Sequence, residues 1–235
     1  MSPKRGKPWF AQQNWEDILF IHKPVNLELL KSFIPYPLEI DLYNNKAWLS
    51  IILFRATGSR LRFMPPHLSF PTYYQMNIRT YVRFGNEGGV YFFKIHTSNK
   101  LVTLAGNILA LPFSNANMMI NKDKDNLLFN ANYLFNQRES KLNLTYKAQK
   151  ETINPSDDSL AYFLTERYAV LMIRGNSIIK APIFHTPWEL NKANFSIFNF
   201  KQLPFSLTDK VVTHYADFKH TLIYPLEIIG KVSKN

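Results

Sequence analysis

The chain has no cysteine in 235 residues. Disulfides, thiolate nucleophiles and cysteine-ligated zinc are therefore excluded. Long apolar runs are also missing. Runs such as Trp48–Phe54 are far too short to span a bilayer, so no transmembrane helix is expected. The first ten residues, Met1 to Phe10, carry charge but no apolar stretch of the kind a secretory signal needs, so a cytoplasmic location is expected. No Walker sequence, GxGxxG, GxSxG or HExxH occurs. The six histidines, at 22, 67, 96, 185, 214 and 220, form no recognised ligand spacing, so neither a metal nor a cofactor is expected.

Basic residues are plentiful but dispersed. The net charge is +11, from 28 Lys and Arg against 17 Asp and Glu, yet no run of five basic residues occurs. Dispersed charge reads as a solvated surface, which argues against a nucleic-acid partner. Hydrophobic residues make up 46% of the chain, enough for a sizeable core, and the aromatic share of 15% favours sheet. With no repeat and no Pro/Gly/Ser-rich linker, residues 1–235 read as a single domain, with 1–7 a flexible tail.

Local signals outline many strands and few helices. Asn26–Ile34 reads as a short helix capped by Asn26. Leu38–Tyr43 and Ala47–Arg55 read as a hairpin about Asn44-Asn45-Lys46. Thr57–Pro71 reads as a long irregular loop able to cover a site. Tyr73–Phe84 is a strand with Gln75, Asn77, Arg79 and Tyr81 on one face and Met76, Ile78, Thr80 and Val82 on the other. It turns at 85–89 and returns as Val90–His96. Asn99–Leu111 is a helix with Leu101, Leu104, Ala105 and Ile108 on one stripe. Met118–Lys147 holds two or three strands. A helix from Pro155, capped by Ser156, runs to about Tyr168. Strands flank Gly175-Asn176, Lys201–Pro204 is loop, and Val211–Tyr215 and Thr221–Ile229 are the last strands. The pattern predicts an α+β protein, mostly antiparallel, on a closed or strongly curled barrel.

Five residues are candidates for a ligand site. On the Tyr73–Phe84 strand, Arg79 could bind an anion through its planar fork of donors, with Gln75 and Asn77 beside it. Pattern alone gives that face to solvent, because alternation is what a half-exposed strand shows. Glu166 could act as a base or as an ion-pair partner for Arg79, or could simply lie in a terminal helical turn. His185 could reach a pocket rim, although Trp188 beside it reads as core. His22 reads as a core or strand-end histidine.

A series of short stretches resembles one family along about Lys7 to Ile229. They are Lys7-Pro-Trp9, Trp15-Glu-Asp-Ile-Leu-Phe20 with His22, Lys46-Ala-Trp-Leu49, Asn77-Ile-Arg-Thr-Tyr-Val82, Leu111-Pro112, Phe163-Leu-Thr-Glu-Arg-Tyr168 and His185-Thr-Pro-Trp188. In that order they are similar to the YqjF-like family of the acetoacetate decarboxylase-like superfamily. The resemblance implies a curled barrel of the acetoacetate decarboxylase type, whose interior holds the decarboxylase site. That reaction uses a lysine of depressed pKa as a Schiff-base nucleophile. The corresponding stretch here, Leu111–Asn115, has no lysine, which argues against lysine-driven decarboxylation. Where relatives commonly carry a glutamate this chain has Gln75, an amide that cannot titrate. The resemblance turns Gln75, Asn77 and Arg79 toward a cavity for an anionic or carbonyl-bearing small molecule. A non-catalytic sensor or interaction domain is the competing reading, and a homo-oligomer is compatible with either.

Overall fold

The computed structural model describes residues 7–65, 67–135, 137–201 and 211–232. The expected tail (residues 1–6) and most of the expected 201–204 loop lie outside the described residues. Lys7 itself is bonded to Glu227 at 3.0 Å. In chain order the elements are β1 (Ala11–Val25), α1 (Leu27–Lys31), β2 (Glu39–Ile40), β3 (Ala47–Leu61), β4 (Tyr73–Phe84), β5 (Glu87–Thr97), α2 (Lys100–Ile108), β6 (Phe113–Asn115), β7 (Asn117–Asp123) and β8 (Asn126–Phe135). They continue with β9 (Arg138–Ile153), α3 (Leu160–Thr165), β10 (Ala169–Arg174), β11 (Ser177–Phe184), β12 (Leu190–Lys201), β13 (Val212–Ile223) and β14 (Glu227–Lys231). Among the described residues no helix is long and apolar enough to cross a membrane.

One sheet takes up every strand, in the order β14-β11-β10-β5-β4-β3-β1-β13-β12-β9-β8-β7, with β2 on β4 and β6 on β5. A further pairing of β11 with β13, through Ile183↔Ile223 and Phe184↔Leu222, brings the sheet back on itself. The seam between β5 and β10 is a single parallel pair, Val170↔Val90. The result is a strongly curled mixed sheet rather than an evenly laddered barrel. Gly89 belongs to that thin seam: a Cβ there would stand 2.8 Å from the Ala169 carbonyl oxygen. Only a residue without one lets the two strands approach.

The central strands are buried on both faces. On the outer face, Leu19, Ile21, Ile51, Leu53, Met76 and Ile78 pack against Phe129, Leu144 and Tyr146 of the β7–β8–β9–β12 arm, which folds back over them. On the inner face, Phe20, Ile52, Phe54, Tyr73 and Trp188 form a second apolar cluster. The inner face is also where the polar row of β4 points.

Several local expectations change. The predicted 38–55 hairpin does not form. Both edges of β3 are already taken by β1 and β4, so β2 pairs with β4 through Glu39↔Arg83 and Ile40↔Val82. The turn itself is present, with Asn44 and Asn45 both at positive φ and a Tyr43↔Lys46 bridge. The first part of the predicted 57–71 loop is strand: β3 runs to Leu61, kinked at a bulge where Gly58 adopts φ 57°. α1 stops at Lys31. α3 begins at Leu160 rather than near Pro155, because Ser159 is the cap, accepting from the Tyr162 N–H. The stripe of α2 faces out, with Leu101, Leu104 and Ile108 each 60–67% exposed. The helix attaches instead through Val102 on the inner cluster. The last strands are one continuous β13 followed by a short β14.

Candidate functional site

Register places the inner-face residues in rows across the strands. Gln75 lies opposite Phe54 and Thr97, Asn77 opposite Ile52 and Ile95, and Arg79 opposite Ser50 and Phe92. Ser50 in turn lies opposite His22, and His214 opposite Phe20. Gln75, Asn77 and Arg79 are all buried, not solvated. The Gln75 amide donates to the Asn77 side-chain carbonyl at 2.8 Å, which fixes both amides side by side.

Arg79 is the most demanding residue of this row. One Nη2 hydrogen goes to the Leu164 carbonyl at 3.2 Å, while its Nε–H has no partner. Among the described residues no carboxylate pairs with it. Burial pulls its pKa below the usual arginine range; Tyr81 opposes that shift and Arg167 adds to it. Arg167, by contrast, is neutralised by Asp41 at 2.7 Å. A buried cation without a counter-ion is costly.

Beside Arg79 lies a hydrogen-bonded group that sequence reasoning missed. His22 Nδ1 is 2.7 Å from Ser50 Oγ, Ser50 Oγ is 2.7 Å from Tyr81 Oη, and the Tyr81 hydroxyl donates to the Leu164 carbonyl at 2.9 Å. His22 and His214 stand 5.3 Å apart, ring centre to ring centre. Burial, with His214 and Arg79 adding to it, keeps His22 well below the usual imidazole pKa. Burial holds His214 at about 4.

The other two candidates belong to an adjoining cluster at the end of α3. The Glu166 carboxylate accepts from the Trp188 backbone N–H at 2.7 Å and from the Tyr168 hydroxyl. It therefore does not pair with Arg79, and that part of the expectation is corrected. His185 is buried, stacks on Tyr168 with ring centres 4.7 Å apart, and bonds the Thr186 carbonyl through Nδ1 at 2.9 Å. Burial lowers its pKa, opposed by the Thr186 carbonyl and by Glu166. Lys219, also missed, donates to the Pro187 carbonyl at 2.8 Å and lies 5.0 Å over the Trp188 ring. The two clusters meet through consecutive carbonyls of α3: Leu164 serves Arg79 and Tyr81, and Thr165 accepts from Trp188 Nε1 at 2.9 Å. A cavity of about 270 Å³ lined by Glu166, Arg167, Tyr168, Lys180 and Tyr224 opens beside the second cluster.

The stretch that would carry a Schiff-base lysine is β6, running parallel to β5 with Asn115 opposite Thr97. It presents Ser114, bonded to His96 at 2.8 Å, and no amine. Among the described residues no three His, Asp or Glu side chains converge to hold a metal.

Solved structures share this architecture. An acetoacetate decarboxylase from Legionella pneumophila superposes with a TM-score of 0.65 at 15% identity, over 98% of this chain and 92% of that one. The enduracididine biosynthesis enzyme MppR, complexed with pyruvate, superposes with a TM-score of 0.66 at 9% identity, over 99% and 94%. The fold is thus of the acetoacetate decarboxylase-like class. In sequence, the chain is 31% identical over 223 residues to the uncharacterized protein YqjF of Bacillus subtilis strain 168, covering 93% of this chain and 92% of that protein. The chain belongs to the DUF2071 family of uncharacterized conserved proteins, whose profile matches residues 12–218.

Proposed function

We propose that the chain binds a small carboxylate, such as a keto acid, inside the curled sheet, with Arg79 as the anion clamp and Gln75 and Asn77 orienting the remaining polar atoms. The observation that carries this reading is the buried Arg79 guanidinium, with one unmet N–H and no carboxylate partner among the described residues. A bound carboxylate supplies both the missing charge and the missing acceptor. The pyruvate complex of MppR, on a similar fold, is consistent with a ligand of this kind. Glu166, satisfied by Trp188 and Tyr168, would shape the neighbouring wall with His185 rather than neutralise Arg79. Binding requires no turnover, so the reading covers a sensor as well as an enzyme.

The test is thermal unfolding against short carboxylates and keto acids, for wild type and Arg79→Met. A ligand at about 100 times its dissociation constant stabilises the fold by roughly 2.7 kcal/mol. The expected outcome is a shift in wild type that Arg79→Met abolishes. A shift of equal size in the variant, or none in either protein, would defeat the proposal.

A further inference from the structure

His22, Ser50 and Tyr81 are each fully buried, so every hydrogen in the group must be accounted for. A carbonyl can only accept, so the single hydroxyl hydrogen of Tyr81 goes to Leu164. Ser50 also has one hydrogen, and two neighbours at 2.7 Å could take it. If it went to His22 Nδ1, the imidazole hydrogen would sit on Nε2. That atom is buried without a partner, and an orphaned N–H is the rarer and costlier defect. If it goes to Tyr81, His22 Nδ1–H donates to Ser50 and every hydrogen in the chain is used. The sequence of donation is then His22 to Ser50 to Tyr81 to Leu164. What remains is a bare lone pair on His22 Nε2.

His22 shares the inward face with Arg79. Ser50 separates His22 from Arg79 by one strand on each side, and all three face inward. The His214 ring stands next to His22, but its unpartnered Nδ1 does not bond to Nε2. Arg79 Nε is an unmet donor and His22 Nε2 an unmet acceptor, so together they want a ligand that both accepts and donates.

We infer that His22 is a specificity-determining residue: its hydrogen-bond chain fixes an unprotonated Nε2, which makes the site select hydroxy acids, or acids with an N–H, over acids that carry only a carboxylate. The selectivity half of this inference rests on the carboxylate reading above; the tautomer does not.

Two measurements separate them. Long-range proton–nitrogen correlation spectra of histidine-labelled protein near neutral pH report the tautomer, with His22 assigned by loss of its signals in His22→Gln or by their displacement in Ser50→Ala. The expected result is a neutral Nδ1–H ring in wild type. A ring protonated on Nε2, or an imidazolium, would overturn the inference. The second measurement compares lactate with propionate, and 3-hydroxybutyrate with butyrate, by thermal shift. One net hydrogen bond predicts about fivefold tighter binding of each hydroxy acid. That preference should vanish in His22→Phe, which has no ring nitrogen, while binding of the plain acid remains. Equal affinities in wild type would overturn the selectivity. If no acid of either kind binds, the carboxylate reading falls and the selectivity falls with it, whatever the tautomer spectrum shows.

Discussion

The two faces of β4 are equally buried and chemically opposite. Met76 and Ile78 point into the outer core against the β7–β8–β9–β12 arm. Gln75, Asn77, Arg79 and Tyr81 point into the curl, where amides, a guanidinium and a phenol replace methyl groups. The outer face is closed mainly by apolar contact, although His96 Nε2 and the Tyr133 hydroxyl there are also unmet. The inner face leaves Arg79 Nε, His22 Nε2 and His214 Nδ1 unmet. A fold keeps such a face only at a cost to its stability, and costs of this kind collect at functional sites. The difference teaches that alternation along a strand reports two environments and does not say which of them is water.

The largest effect that sharpens this contrast is acid sensitivity. His214 lies on the inner face, and His96, opposite Met76, lies on the outer one. Burial holds each at about 4; Lys94 also lowers His96. The unfolded chain takes up protons near pH 6.5, where the folded chain resists them. Both groups therefore favour folding fully above pH 6.5, and that contribution is lost as pH falls from 6.5 to about 4. At 1.36 kcal/mol per unit, each accounts for about 3 kcal/mol, a sum comparable with the stability of many domains, ~5–15 kcal/mol. Urea midpoints should fall steeply across that window, and His96→Gln and His214→Gln should each flatten the slope by a similar amount. A slope carried by only one of them would show that the two faces are not equally dry.

The next effect belongs to the outer face alone. Met76 is fully buried, so Met76→Ala should cost ~2–5 kcal/mol through lost burial and a residual cavity. Urea unfolding at neutral pH measures it. A cost below about 1 kcal/mol would mean that the arm does not seal this face.

How much of this was legible in the sequence follows from the range of each interaction. The limits of β4, Tyr73–Phe84, can be read from its own residues, because alternation and the flanking Pro71 and Gly85 are local signals. The cap at Asn26 is equally local. The curled class and the family could be read from ordered short stretches. The His22–Ser50–Tyr81 group could not, since its members lie 28 and 31 residues apart and meet only through the β1–β3–β4 register. A bulge at Asp17, φ 54°, shifts that register in a way no local pattern announces. The exposed stripe of α2 misleads for the related reason that periodicity shows an apolar face but not what covers it. Glu166 was placed beside Arg79 on charge alone, whereas the backbone N–H of Trp188 and the hydroxyl of Tyr168 claim it first.

The smallest effect has the opposite sign and tests the inner face most directly. Arg79→Met keeps the length and most of the volume of the side chain while removing the charge. Among the described residues Arg79 bonds the Leu164 carbonyl, which Tyr81 continues to satisfy at 2.9 Å, and it also lies over the Tyr81 ring. The substitution therefore strands no buried partner, the usual source of large losses at buried polar sites. It also removes the desolvation cost of an unpaired guanidinium, as replacing buried ionic groups by apolar ones often does. A gain of about 1 kcal/mol in urea unfolding without ligand is expected. A loss of 2 kcal/mol or more, rivalling Met76→Ala, would mean that Arg79 holds the fold together and that its free N–H waits for nothing. A gain in stability together with loss of the carboxylate-induced shift would identify a residue whose cost in the empty protein is recovered only when an anion binds.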